Sequence, residues 1–280
     1  MQQFQLIKRP SMSHVSSMSS MSSMSSMSSM YSMSSMYSMS SMSAGSSRHH
    51  ATSNSHDFGN VDCADCGSII LPNVKVFVIH YKKLINRKNI ILAQFKKNGI
   101  IDFEFIEIDR DELHDQNISM FKKDFNKSQI AISLSHFHAY EEIGEKYEHG
   151  LIFEDDAILS PNFTNRFKKY INQLPNNYDM LFIGDGCDLH IESSKLIPSK
   201  HIYKKTLHHG ATRCTDSYLV SKQCAKQLHH YIKHLSYKIK IPIDWWMNQA
   251  AIDNDFKVYW AEPTIVTQGT QNGIYKPSHT

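Results

Sequence analysis

From Val74 onward, short β-branched and aromatic runs take turns with stretches whose apolar residues recur every three or four positions. Few folds accept that alternation. Val74 to Ile79 reads as a strand, and Leu84 to Lys97 as a helix with Leu84, Ile91, Leu92 and Phe95 on one face and Gly99 as its stop. Phe103 to Ile108 alternates as a strand does. Ser128 is placed to cap a helix running to about His149, with Ile130, Leu134, Phe137, Tyr140, Gly144 and Tyr147 on one side and Gly150 as its exit. Leu151 to Phe153, Tyr178 to Gly184, Tyr218 to Val220 and Phe256 to Ala261 read as further strands. Helices are expected from Ser221 to about Leu235 and from Asp244 to about Asn254. Strands separated by helices predict an α/β fold with a mostly parallel sheet covered by helices on both faces.

The residues before Val74 follow another rule. Between Ser11 and Ser47 a Ser-Ser-Met triplet repeats, with methionines three apart from Met18 to Met42. A period of three matches neither the helix nor the strand, so no apolar face can form and nothing offsets the entropy of ordering. Residues 1–60 are therefore expected to be a disordered Ser/Met tail, 61–72 a linker and 73–280 a folded domain. Charge divides in the same place. The chain carries 30 Lys+Arg against 27 Asp+Glu, a formal +3, and Lys8, Arg9 and Arg48 against Asp57 put +2 of it in the tail. A nearly neutral remainder excludes a strongly basic nucleic-acid binder. No apolar stretch of signal-peptide or membrane-spanning length stands out, which predicts a cytoplasmic or otherwise soluble protein. The 5 scattered cysteines are expected to be free thiols, and Cys63-Ala-Asp-Cys66 is half a zinc site without a second half.

In a sheet of this kind ligands bind beyond the carboxyl ends of the strands. Glu154-Asp155-Asp156 follows an apolar strand directly, and three adjacent carboxylates repel unless something positive joins them. Hard Mn²⁺ or Mg²⁺ takes one or two carboxylates and completes its shell with phosphate oxygens. Strand geometry turns Glu154 and Asp156 to one side as the metal-binding pair, leaving Asp155 to contact a sugar or orient a neighbour. A solvated acidic turn is the competing reading. Asp244 opens a helix beside Trp245 and Trp246, where it suits either a general base near a stacked sugar or a plain N-cap.

From Val78 onward the chain resembles glycosyltransferase family 25. Val78-Ile-His-Tyr81 with Arg87 is similar to the opening strand and its arginine, Ser135-His136 to the Ser-His helix, and Leu151 to Leu159 to the acidic strand end. Tyr178 to Gly184, Asp216 to Ser221, Pro242 to Trp246 and Glu262 to Gln268 resemble the later blocks in order. The resemblance implies a GT-A-type fold, a UDP-sugar donor, Mn²⁺ or Mg²⁺, and inverting transfer of galactose or glucose to a glycan or a hydroxylysine-type, collagen-like acceptor. It implies donor contacts from Val78, Ile79, Arg87, Ser135 and His136. On the residues themselves Asp244 and Asp155 are the catalytic candidates, and Asp185 and Asp188, after the strand ending at Gly184, are secondary ones, since the Gly-Asp-Gly stretch there equally suits a plain turn. A third metal ligand would come from Gln268 or His279. His80-Tyr81 stands where the family commonly carries Asn-Leu, and Lys127-Ser-Gln-Ile replaces a glycine-containing turn. A catalytically inactive nucleotide-sugar or carbohydrate-binding module of the same fold is the alternative, and a phosphodiesterase a remoter one. The pairs His208-His209 and His229-His230 invite a zinc reading, but His229 and His230 are adjacent on a helix and point apart, and His230 with His234, which has ligand spacing, sits by Lys226 and Lys233 on what reads as a solvated face. Usage rich in Lys, Asn and Ile suits an AT-rich viral or bacterial genome.

Overall fold

The computed structural model describes residues 74–206 and 213–276. The Ser/Met tail, the linker with Cys63 and Cys66, and His208, His209 and His279 lie outside the described residues.

In chain order the elements are β1 (Val74–Ile79), α1 (Ile85–Lys97), β2 (Phe103–Ile106), a short α2 (Asp115–Ser119), α3 (Lys127–Lys146), β3 (His149–Glu154) and β4 (Ala157–Leu159). They continue with α4 (Phe163–Ile171), β5 (Met180–Phe182), β6 (Ile202–Lys204), β7 (Ser217–Ser221), α5 (Lys222–Lys233), α6 (Ile243–Asp253), β8 (Val258–Ala261) and β9 (Val266–Gln268). Seven strands form one sheet in the order β2-β1-β3-β7-β5-β8-β6, and β4 pairs with β9 in a small second sheet. The strands β2, β1, β3, β5 and β8 run one way, while β7 and β6 run against them. The sheet is thus mixed, mostly parallel in strand direction. Tyr218-Leu-Val220 is buried on both faces of β7, so its residues carry no sign of the strand's direction.

Alternate residues of the strands feed two cores. Phe77, Ile79, Ile152 and Phe182 pack under α3, α5 and α6, whereas Val76, Val78, Phe153 and Leu181 pack under α1 and α4. Burial on both faces is why these strands read as continuous apolar runs. Local chemistry sets several ends. After α1, Gly99 adopts φ 67°, its N–H reaches Lys96 O and that of Ile100 reaches Phe95 O, the double closure of a Schellman motif. Ser221 caps α5 through the N–H of Cys224.

Two boundaries differ from the sequence reading. The cap of α3 is Asn126, which accepts the N–H of Ser128, so Ser128 sits inside the first turn and instead accepts from Arg110. Gly150 is not the helix exit, because α3 ends at Lys146 and Gly150 lies within β3. Its lack of a side chain serves packing: a Cβ there would stand 2.1 Å from Cδ1 of Ile143 on the crossing helix. Gly150→Ala is expected to cost about 1–3 kcal/mol by overpacking, read as a lower thermal midpoint. Adding Ile143→Val, which removes the clashing methyl, should recover part of the loss; no recovery would locate the strain elsewhere.

Candidate active site

The acidic triplet sits where β3 ends, with Glu154 its last residue and Asp155-Asp156 forming the turn into β4. Ile79, the end of β1, is paired with Glu154, so His80 and Tyr81 leave the sheet beside the triplet. The segment after β9 returns over it, with the N–H of Gly269 on Asp156 O at 2.8 Å.

The three acids have different surroundings. Asp155 is compensated: Arg87 Nη1 donates to Oδ1 at 2.8 Å, while His80 Nδ1 lies 2.8 Å and the Tyr81 N–H 3.3 Å from Oδ2. Arg87 also donates to Lys276 O at 2.7 Å and lies against the Tyr275 ring, which joins β1, α1 and the C-terminal segment around Asp155. Glu154 accepts from Thr215 Oγ1 and lies 3.4 Å from His136 Nε2. His136 is fully buried, with Nδ1 at 2.8 Å from the Tyr218 hydroxyl, itself 2.9 Å from that of Tyr140. Burial pushes both phenols up, so they keep their protons. Both ring nitrogens of His136 are thus engaged, Nδ1 with Tyr218 and Nε2 with Glu154.

Asp156 is the uncompensated member. It is 4% exposed, its Oδ2 accepts from Thr270 Oγ1, and its Oδ1 has no partner. Burial, reinforced by the Glu154 charge, pushes its carboxyl up to about 6. Asp216, at the entrance to β7, is likewise fully buried; Ser217 Oγ donates to its Oδ2 at 2.9 Å and its Oδ1 is unpartnered. Burial holds it well above the usual carboxylate range, with Glu154, Asp156 and Asp185 adding to the shift. Gly184 makes room for it, since a Cβ there would lie 1.9 Å from Asp216 Oδ2. Asp244 lies in the first turn of α6, where Pro242 is the N-cap and no side chain caps; burial pushes it up to about 6, with Glu154 adding to the shift.

The fold thus brings Glu154, Asp155, Asp156, Arg87 and His136 to one edge, with Asp244 within electrostatic reach. Ile79, Ser135, Arg87 and Gln268 line the adjoining cavity together with His80, Tyr81, Arg110 and Thr270. Val78 does not line it, being wholly buried on the opposite sheet face with α1 and α4. Ser135 lines the cavity while its hydroxyl donates back to Ala131 O. Asp185 accepts the Gln268 N–H at 3.2 Å, and Asp188 points to solvent near His190. On α5, His230 stacks on His234 and His229 lies 3.7 Å from Glu141, away from this edge. The sequence reading passed over Thr215, Asp216 and Thr270 as site residues.

Among the described residues no three His, Cys, Asp or Glu side chains converge as a metal cage. The donor chemistry still fits a hard divalent cation held jointly with a ligand. Asp156 Oδ1, Asp216 Oδ1 and Gln268 Oε1 are buried oxygens without hydrogen-bond partners, in a region where carboxylates raise one another's proton affinity. Mn²⁺ and Mg²⁺ are bound in that way, by one or two carboxylates with phosphate oxygens completing the shell.

Residues 73–247 match the model of glycosyltransferase family 25 (LPS biosynthesis protein), and the chain belongs to that family. A glycosyltransferase of Acanthamoeba polyphaga mimivirus is 28% identical over 126 residues, 41% of this chain and 38% of the relative. The procollagen lysyl hydroxylase and glycosyltransferase of the same virus is 23% identical over 180 residues, 55% of this chain and 19% of the relative. The chain therefore spans well under half the length of these curated relatives. Among solved structures, a glycosyltransferase involved in glycosylation of the major capsid of PBCV-1 shares 10% identity at a TM-score of 0.41, covering 70% of this chain and 93% of that one. The Drosophila β1,4-galactosyltransferase 7 mutant with manganese, UDP-Gal and xylobiose shares 12% identity at a TM-score of 0.36, covering 68% and 66%. No helix of the described residues is long and apolar enough to cross a membrane.

Proposed function

We propose that this glycosyltransferase moves a hexose, galactose or glucose, from a UDP-sugar to a hydroxyl of a glycan or of a hydroxylysine-type, collagen-like protein, with inversion and with Mn²⁺ or Mg²⁺. The observation that carries the reading is the contrast within the triplet: Asp155 is neutralised by Arg87, whereas Asp156 keeps a buried oxygen without a partner beside Glu154. Glu154 and Asp156 would hold the cation, which when bound supplies Lewis-acid stabilisation of charge on the departing diphosphate.

The chain's own groups supply the rest. Asp155, with both oxygens engaged, acts as a positioning residue that fixes His80, Tyr81 and Arg87 along the donor cavity. His136 and Thr215 hold the Glu154 carboxylate in one orientation. Asp244 takes the proton of the acceptor hydroxyl as it attacks opposite the leaving diphosphate. The mimivirus relative named for procollagen lysyl hydroxylation and glycosyl transfer supports the hydroxylysine-type acceptor.

The test is release of UDP from UDP-galactose and UDP-glucose by the full chain, with and without Mn²⁺, in the presence of a galactosyl-hydroxylysine peptide, a hydroxylysine peptide or a lipooligosaccharide core. The expected result is metal-dependent turnover of one donor, stimulated by one acceptor. Equal turnover in EDTA would overturn the metal role, and no turnover of either donor would overturn the donor assignment.

A further inference from the structure

Two thiols stand outside this chemistry. Cys187 lies in the 3₁₀ turn Gly186–Asp188 after β5, Cys214 in the segment entering β7, and their Sγ atoms are 3.0 Å apart. Both residues have left-handed backbones, φ 60° and 53°, which non-glycine residues keep only where the surroundings over-determine them. Gly186 permits the approach: a Cβ there would lie 2.4 Å from Arg213 O and 2.7 Å from Cβ of Cys214. Gln271 braces the pair, its Oε1 accepting the Cys187 N–H at 2.9 Å and its Nε2 lying 3.8 Å and 3.9 Å from the two sulfurs.

The pair is also chemically unequal. Cys187 is exposed and Cys214 partly covered, whereas Cys224 is buried on the core face of α5. The hydrogen bond between the thiols pushes Cys187 down to about 7. An exposed sulfur that ionises near neutral pH, backed by a second within reach, has the arrangement of an attacking and a resolving thiol.

We propose that Cys187 and Cys214 form a reversible dithiol–disulfide site that fastens the turn after β5 to the segment carrying Thr215 and Asp216. The oxidant is a small-molecule disulfide. The Cys187 thiolate attacks one of its sulfurs and expels one thiolate, giving a mixed disulfide. Cys214 then gives its proton to water, and its sulfur displaces the second thiolate from Cys187. Two protein thiols are oxidised by two electrons, one disulfide is reduced to two thiols, and reduced glutathione reverses the exchange. Closing the chain between residues 187 and 214 restricts the unfolded state and ties down the neighbour of Thr215, the residue that orients Glu154.

The experiment uses the full chain carrying Cys63→Ser and Cys66→Ser, equilibrated with oxidised or reduced glutathione, then alkylated and mapped by mass spectrometry. After oxidation a Cys187–Cys214 cross-linked peptide is expected, with two fewer alkylatable thiols. The thermal midpoint should rise by roughly 5–10 °C, and amide exchange over residues 213–218 should slow. Cys187→Ser should abolish all three changes. Two thiols still alkylatable, a persistent glutathione adduct on Cys187, or a cross-link that leaves the midpoint unmoved would each overturn the proposal. None of these readouts depends on sugar transfer, so their failure leaves the functional reading standing.

Discussion

Asp156→Asn is expected to lower Mn²⁺-dependent UDP-sugar turnover by roughly two to three orders of magnitude, the scale of removing one well-placed electrostatic group from an active site. The substitution keeps volume and can still accept from Thr270, so the wall formed by residues 269–276 should stay in place. What it removes is the charge on the one triplet member whose Oδ1 has no protein partner. Two measurements separate site from fold. The Mn²⁺ concentration for half-maximal rate should rise in the variant, and the thermal midpoint should not fall, because a buried, poorly compensated carboxylate is replaced by a neutral amide. Turnover within a few-fold of the parent chain would remove Asp156 from the site. Asp155→Asn should behave differently: it weakens the partner of a buried arginine, so its main effect should be a lower midpoint.

The alternating pattern gave β1, β2, β3, β5, β7 and β8 and the helices α1, α3, α5 and α6, because burial on both sheet faces leaves uninterrupted apolar runs and helices show their period of 3.6; the short α2, β4, β6 and β9, and the helix α4, were not read from it. Val78 shows the limit of that reading. The same alternation that sends Ile79 toward the cavity sends Val78 into the opposite core, so a motif that spans both residues lines the cavity with only one of them. The triplet was legible because β3 is parallel to β1, and the carboxyl-end rule therefore applies to it. Asp216 was not legible as a site residue, for the same reason reversed. It precedes its strand, and in a parallel strand it would fall at the far edge; β7 runs antiparallel to β3, so its entrance lies beside the exit of β3, where the Glu154 N–H bonds to Asp216 O at 2.9 Å. Thr270 reaches Asp156 only because β9 pairs with β4, a contact between residues more than a hundred apart that no local pattern encodes.

Asp244→Asn should produce the second large loss, about a hundredfold to ten-thousandfold in kcat if Asp244 removes the acceptor proton. The parent chain sets the pH dependence. With its carboxyl pushed up to about 6 by burial, Asp244 is protonated in acid and kcat/KM should rise with slope one through pH 6, then level off. The same shift has the opposite sign for stability. A carboxyl that binds its proton more tightly folded than unfolded favours the folded state at low pH, and that advantage is lost as pH climbs from the unfolded value near 4 to the folded value near 6. At pH 7 the ionised group then costs on the order of 2 kcal/mol, with its partial exposure allowed for. Asp244→Asn should therefore raise the thermal midpoint at pH 7 and leave it almost unchanged at pH 4. An N-cap role would give the reverse, since losing a cap lowers the midpoint. The structure has Pro242 in the cap position, with Asp244 two residues beyond it in the first turn. A variant that is slower and more stable at pH 7 identifies a carboxylate kept for chemistry, while one that is less stable with unchanged kcat removes Asp244 as the base.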